Sequence, residues 1–197
     1  MAYIHFLLDR SGSMKGFNAF VNEQAPKSTM SLYMFDNEFQ IVYENNKIKD
    51  VKKLTSNTFI PRGGTALLDA IGKTIERVDK NNLQSWADIE DVGNVIVILT
   101  DGEDNSSTEY TKEQINDLIF GKKAQGWKFV FLGANQDSIR SAEDIGIGRE
   151  SAIYFDTNNM CEAIKSASSA LNRCITGETR DIIFTREERT GCSQNIS

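Results

Sequence analysis

Short apolar runs divide the chain at residues 3–8, 30–35, 39–43, 95–99, 128–132 and 152–155. Most are continuous rather than alternating, and they are rich in β-branched and aromatic residues. That pattern predicts strands buried on both faces. Between them the apolar spacing changes to three and four. Phe17, Phe20 and Val21 share a face of a short helix that Pro26 ends. Leu67, Ile71, Thr74, Ile75 and Val78 form a longer stripe. Thr111 and Gln114 fit a capping box ahead of Ile115, Leu118 and Ile119. Ile139, Ala142 and Ile145 mark a short helix, and Met160, Ala163, Ile164, Ala167 and Leu171 a long one. Strands alternating with helices predict an α/β fold. Its core is a doubly wound, mostly parallel sheet of about six strands with helices on both faces. Asp36-Asn37-Glu38 reads as a hairpin turn, which makes 39–43 one antiparallel edge strand. Polar connections fill 44–62 and 81–93. Residues 1–176 then form one domain, and 177–197, with Ile182, Ile183 and Phe184, a C-terminal tail or short added strand.

Charge and composition narrow the picture. The 197 residues carry 22 Lys and Arg against 28 Asp and Glu, a net charge of −6. Such an acidic chain is unsuited to general nucleic-acid binding. No run reaches the length of a membrane span. The opening apolar run is too short for a signal peptide and lacks its basic flank. A soluble, cytoplasmic protein is expected. Cys161, Cys174 and Cys192 form no close pair, and His5 is the one histidine. Reduced structural thiols are therefore expected, not a zinc cluster or disulfide framework. Cys161 and Cys174 are expected on one helix face, and Cys192 exposed in the tail.

The candidate chemistry gathers where strands end. The first strand runs into Asp9-Arg10-Ser11-Gly12-Ser13-Met14. Pro61-Arg62-Gly63-Gly64-Thr65 opens the second helix, and the strand over 95–99 runs into Thr100-Asp101-Gly102. In open α/β sheets, sites form outside the carboxyl ends of the strands. Asp9, Ser11, Ser13, Thr65 and Asp101 offer oxygen atoms alone. Hard oxygen donors suit Mg²⁺, with Mn²⁺ or Ca²⁺ as alternatives. Two carboxylates among hydroxyls leave a divalent ion net positive, ready for an outside anion.

Asp-x-Ser-x-Ser, a later Thr after glycines and a later Thr-Asp-Gly resemble the von Willebrand factor type A domain family with its metal-ion-dependent adhesion site. The resemblance covers roughly residues 3–175. It implies a doubly wound fold in which Ser11, Ser13 and Thr65 donate hydroxyl oxygens to the metal. Asp9 and Asp101 then act largely through bound water, and a partner's Asp or Glu takes the remaining position. The stretches 17–24, 63–72 and 131–137 resemble intracellular, prokaryotic or phage-type members. For these, the resemblance implies partners such as an AAA+ ATPase or another assembly. The early stop at Pro26 departs from the family's longer first helix and implies an open groove beside the metal.

Each residue also has a plainer reading. Asp9, Ser11 and Ser13 suit a capped turn, Thr65 an N-cap and Asp101-Gly102 a turn. Asp69 reads as a helix-start carboxylate and Glu103-Asp104 as a solvated acidic loop. His5 reads as a core histidine, Arg10 and Lys15 as exposed basic residues, and Trp86 and Trp127 as packing. Three functions compete. The favoured one is a non-enzymatic, Mg²⁺-dependent module gripping an acidic side chain of a partner protein. The alternatives are a Mg²⁺-dependent phosphatase or phosphotransferase, and a structural subunit with a stabilising metal. Ser11 stands where an aspartyl-phosphate site would carry a second carboxylate, which weighs against the enzyme.

Overall fold

A computed structural model of the chain describes residues 2–12, 28–52, 54–55, 57–82, 93–134 and 137–193. Six strands form one sheet in the order β3-β2-β1-β4-β5-β6. They are β1 (Ala2–Asp9), β2 (Thr29–Phe35), β3 (Phe39–Lys47), β4 (Gly93–Thr100), β5 (Lys128–Gly133) and β6 (Ala152–Tyr154). All neighbours pair parallel except β2 and β3, whose antiparallel pairing puts β3 at one edge. The helices are α1 (Leu67–Asn82), α2 (Lys112–Ala124), α3 (Ser138–Asp144), α4 (Met160–Ile175) and α5 (Arg186–Ser193). The predicted helix at Phe17, Phe20 and Val21, its stop at Pro26, and Trp86 lie outside the described residues.

The continuous apolar runs have a direct structural cause. Successive strand residues point to opposite faces, and both faces of this sheet are covered. Ile4, Leu8, Val95, Val97 and Leu99 belong to one core with Ala163, Ile164, Ala167 and Ala170 of α4. Leu7, Ile96, Ile98, Phe129 and Phe131 belong to the other, with α1, α2 and α3. Seven of the eight β4 residues are buried, from Asn94 to Thr100. Central burial of this kind holds the β1 and β4 ends rigidly beside each other.

β3 runs four residues past its predicted end. Glu44, Asn45, Asn46 and Lys47 are polar, so hydrophobicity does not mark them. They join β2 through an irregular register at Met30, Leu32 and Tyr33. Asn45 takes a left-handed φ of 53°, and its N–H donates to Ser31 Oγ at 3.0 Å.

The residues after Gly177, expected as a tail or short strand, instead form a connection and α5. Ile182, Phe184 and Cys192 are buried in the same core as α4. Arg173 of α4 pairs with Glu188 of α5 at 2.9 Å, and Arg189 donates to the Ala152 carbonyl at 2.7 Å. Cys192 is therefore buried, not exposed. Cys161 is exposed and Cys174 buried, so the two do not share a helix face. Their thirteen-residue separation in α4 turns them apart at 100° per residue.

Candidate metal centre

Strand order reverses between β1 and β4, where β1 leads out to β2 and β4 to β5. That crevice is where open α/β sheets bind ligands. Asp9 closes β1 there and is fully buried. One carboxylate oxygen accepts from the Ser11 N–H at 2.7 Å. The other accepts from the Thr100 hydroxyl at 2.6 Å. Burial pushes the Asp9 carboxyl above its ordinary range, the Thr100 and Ser11 hydrogen bonds oppose this, and repulsion from Asp101 adds to it. The Thr100 hydroxyl oxygen also accepts from the Gly102 N–H at 3.2 Å.

The glycine-bearing loop lies against this pair. Arg62 N–H donates to the Arg10 carbonyl at 2.8 Å, and Gly12 N–H to the Gly63 carbonyl at 3.5 Å. Gly63 has φ +68°, and a side chain there would strike Asn37 Oδ1 at 2.3 Å. Asn37 Oδ1 instead accepts from Gly64 N–H at 2.7 Å. A Cβ on Gly102 would meet Thr65 Oγ1 at 3.1 Å. The Thr65 hydroxyl thus sits directly over the 100–102 turn.

Asp36 ties the same loop to β2. Its carboxylate takes Arg10 Nε at 2.9 Å and Arg62 Nε at 2.8 Å, and its carbonyl accepts from Ala66 N–H at 3.0 Å. Arg10 is only 7% exposed and also donates to Gln40. The expectation of an exposed basic residue is corrected: Arg10 is an internal brace between β1, β2 and the loop.

The cap of α1 comes from the segment after β4. Leu68 N–H donates to Asp104 Oδ1 at 3.3 Å and Asp69 N–H to Ser107 Oγ at 3.1 Å. Asp104 also accepts from the Ser107 hydroxyl, so it is more than a solvated acidic residue. Asp69 returns the contact by accepting the N–H groups of Thr108, Glu109 and Tyr110, each at 2.9 Å. Its task is to fold this segment onto α1.

Asp9, Ser11, Thr65 and Asp101 therefore share one rim, while Ser13 lies outside the described residues. Sequence reasoning passed over Thr100. A signal existed in the strand ends: Leu8 pairs with Leu99, so the next residues, Asp9 and Thr100, stand side by side. Asp36 had no comparable signal, because its partners Arg10 and Arg62 are remote in sequence. His5 is buried in the sheet, with Nε2 3.1 Å from Asn94 Oδ1, well below the rim. Trp127 packs beside Phe129, with Lys122 over its ring.

The donor set fits a hard divalent cation. Among the described residues, no group of three or more His, Cys, Asp and Glu stands ready for a metal. The rim instead offers a desolvated carboxylate, a second carboxylate coupled to it, and hydroxyls. A divalent cation held there would relieve both the burial cost and the repulsion.

A family model for the von Willebrand factor type A domain matches residues 4–169. Solved structures share the fold. The vWF domain of the type V pili tip protein Mfa5 from Porphyromonas gingivalis aligns with TM-score 0.56 at 10% identity, over 88% of this chain and 96% of that one. Proximal thread matrix protein 1 from the mussel byssus, with a zinc-occupied MIDAS motif, aligns at 0.55 and 16% identity, over 87% and 46%. The ArnB paralog VWA2 from Sulfolobus acidocaldarius aligns at 0.50 and 18%, over 85% and 44%. The chain spans about half the length of the mussel and Sulfolobus proteins. No curated protein matches it. No helix among the described residues is long and apolar enough to cross a membrane.

Proposed function

The chain belongs to the von Willebrand factor type A domain family, and from that premise we propose that it is a non-enzymatic, Mg²⁺-dependent protein-binding module. One observation carries this reading. The buried Asp9 carboxylate, held by Thr100 and Ser11, is electrostatically coupled to Asp101 on a rim that also receives Thr65. In this reading Asp9, Ser11, Ser13, Thr65 and Asp101 hold the ion. The bound ion supplies positive charge at the rim. An Asp or Glu of a partner protein completes its coordination. Oxygen-only donors favour Mg²⁺, with Mn²⁺ or Ca²⁺ as alternatives, over softer metals. The zinc-occupied motif of the mussel protein supports a divalent ion in a site of this kind. Three free thiols fit a reducing, cytoplasmic setting.

The protein's own residues do the preparatory work. Thr100 and Ser11 fix both oxygens of Asp9, so the carboxylate meets the ion without reorganising. Gly102 leaves room for the Thr65 hydroxyl. The test is affinity capture on the immobilised chain in Mg²⁺ and in EDTA, read by mass spectrometry. Partners should be held in Mg²⁺, released by EDTA, and lost with Asp9→Ala that still folds. Identical partners in EDTA would sink the proposal.

A further inference from the structure

Thr65 is gripped from both sides of its peptide unit by one residue. Its N–H donates to Asn105 Oδ1 at 2.9 Å. Its carbonyl accepts from Asn105 N–H at 2.9 Å and from Ser106 N–H at 3.2 Å. Among these contacts, Asn105 bonds both the N–H and the carbonyl of Thr65, whereas Ser106 meets the carbonyl alone. The packing is also close. A Cβ on Gly64 would come within 2.8 Å of Asn105 Oδ1 and 2.3 Å of Ser106 Oγ. The segment carrying Asn105 is itself fastened to α1 through Asp104, Ser107 and Asp69. Asn105 is exposed and closes no apolar core, so packing does not explain the arrangement.

We infer that Asn105 is a positioning residue for the metal: it fixes the Thr65 backbone so that the hydroxyl faces the ion. This rests on the metal-binding reading above. Thr65 is the one proposed ligand on the glycine-bearing loop, where flanking Gly63 and Gly64 make the backbone adaptable. Without the Asn105 side chain, the Thr65 N–H loses its acceptor and the hydroxyl loses its fixed direction. Supporting residues of this kind are worth about 10–100-fold in metal affinity.

The test is Mn²⁺ binding to the full chain, read by electron paramagnetic resonance of the free ion, with the melting temperature of the metal-free protein measured in parallel. Asn105→Ala should weaken Mn²⁺ by about tenfold while changing the metal-free melting temperature little. Thr65→Ala should weaken it at least as much. In the double variant, Asn105→Ala should add no more than about a twofold loss, since it acts through a hydroxyl already removed. If Asn105→Ala does not fold, Asn105→Ser serves with the same expectation. Wild-type affinity in the Asn105 variant, or losses that multiply in the double variant, overturns the inference alone. A wild-type chain that binds no Mn²⁺ overturns the metal reading and the inference together.

Discussion

Replacing Asp69 should unfasten the segment that caps α1 and holds the Thr65 backbone. The carboxylate is 6% exposed and accepts the Thr108, Glu109 and Tyr110 N–H groups, each at 2.9 Å. Hydrogen bonds to a charged group contribute about 1.5–3 kcal/mol each. They act here as one unit, and water reaches part of the segment once it loosens, so the sum is smaller than three independent bonds. We expect Asp69→Ala to cost about 3–5 kcal/mol. For a chain of this size, that lowers the melting temperature by about 10 °C. Asp69→Asn is a sharper probe. Its oxygen can keep the Glu109 and Tyr110 amides that share Oδ1, while its NH₂ group faces the Thr108 N–H. It should therefore cost about half as much. Urea unfolding followed by circular dichroism, with EDTA present, gives both values at constant slope. Hydrogen exchange should quicken at residues 108–110 first. An alanine variant within about 0.5 kcal/mol of wild type, or an asparagine variant as damaging as alanine, would refute the reasoning.

Other consequences follow from the same geometry. His5 is held neutral, its pKa lowered by burial from 6.5 to about 4. The unfolded chain therefore takes up this proton first, and stability is full above pH 6.5 and lost as pH falls toward 4. The loss is about 3 kcal/mol, and His5→Gln should flatten that part of the urea-midpoint profile relative to wild type. Gly102→Ala pushes a Cβ toward Thr65 Oγ1, 3.1 Å away. It should weaken Mg²⁺ binding several-fold by calorimetry with little change in metal-free stability. Equal affinity would show that Gly102 serves only the turn. An aromatic disulfide reagent should modify exposed Cys161 rapidly, and buried Cys174 and Cys192 only after unfolding. Burial also raises the Cys174 and Cys192 thiols. A second fast-reacting thiol contradicts the burial of Cys174 in α4 or of Cys192 in α5.

Much of this architecture was legible because burial writes itself into the sequence. Residues 95–99 are continuously apolar because β4 is covered on both faces. Period-3.6 stripes located α1 and α4 for the same reason. The oxygen-bearing rim was legible because Asp9, Thr65 and Asp101 each stand at an element end. What escaped was long-range and polar. Nothing around Asp36 foretells that it will hold Arg10 and Arg62, because ion pairs leave no periodicity. The end of β3 escaped because Asn46 and Lys47 are polar and join β2 by register with Met30 and Thr29, which leaves no hydrophobic mark. Polar composition misled at Cys192 and Arg10: α5 turns one face inward, and Arg10 is drawn in by the Asp36 carboxylate. Asp69 stands in the first turn of α1 as expected, but its bonds to N–H groups some forty residues away left no trace in the sequence.

The central proposal is that Asp9, Ser11, Ser13, Thr65 and Asp101 together hold a divalent cation. Isothermal titration of Mg²⁺ into the metal-free chain, beside Asp9→Ala and Thr65→Ala variants that keep the wild-type circular dichroism spectrum, tests it most directly. The account predicts one ion per chain for wild type, no measurable binding for Asp9→Ala, and weakened binding for Thr65→Ala. Absence of Mg²⁺ binding by the folded wild-type chain, or equal affinity in all three proteins, would contradict it.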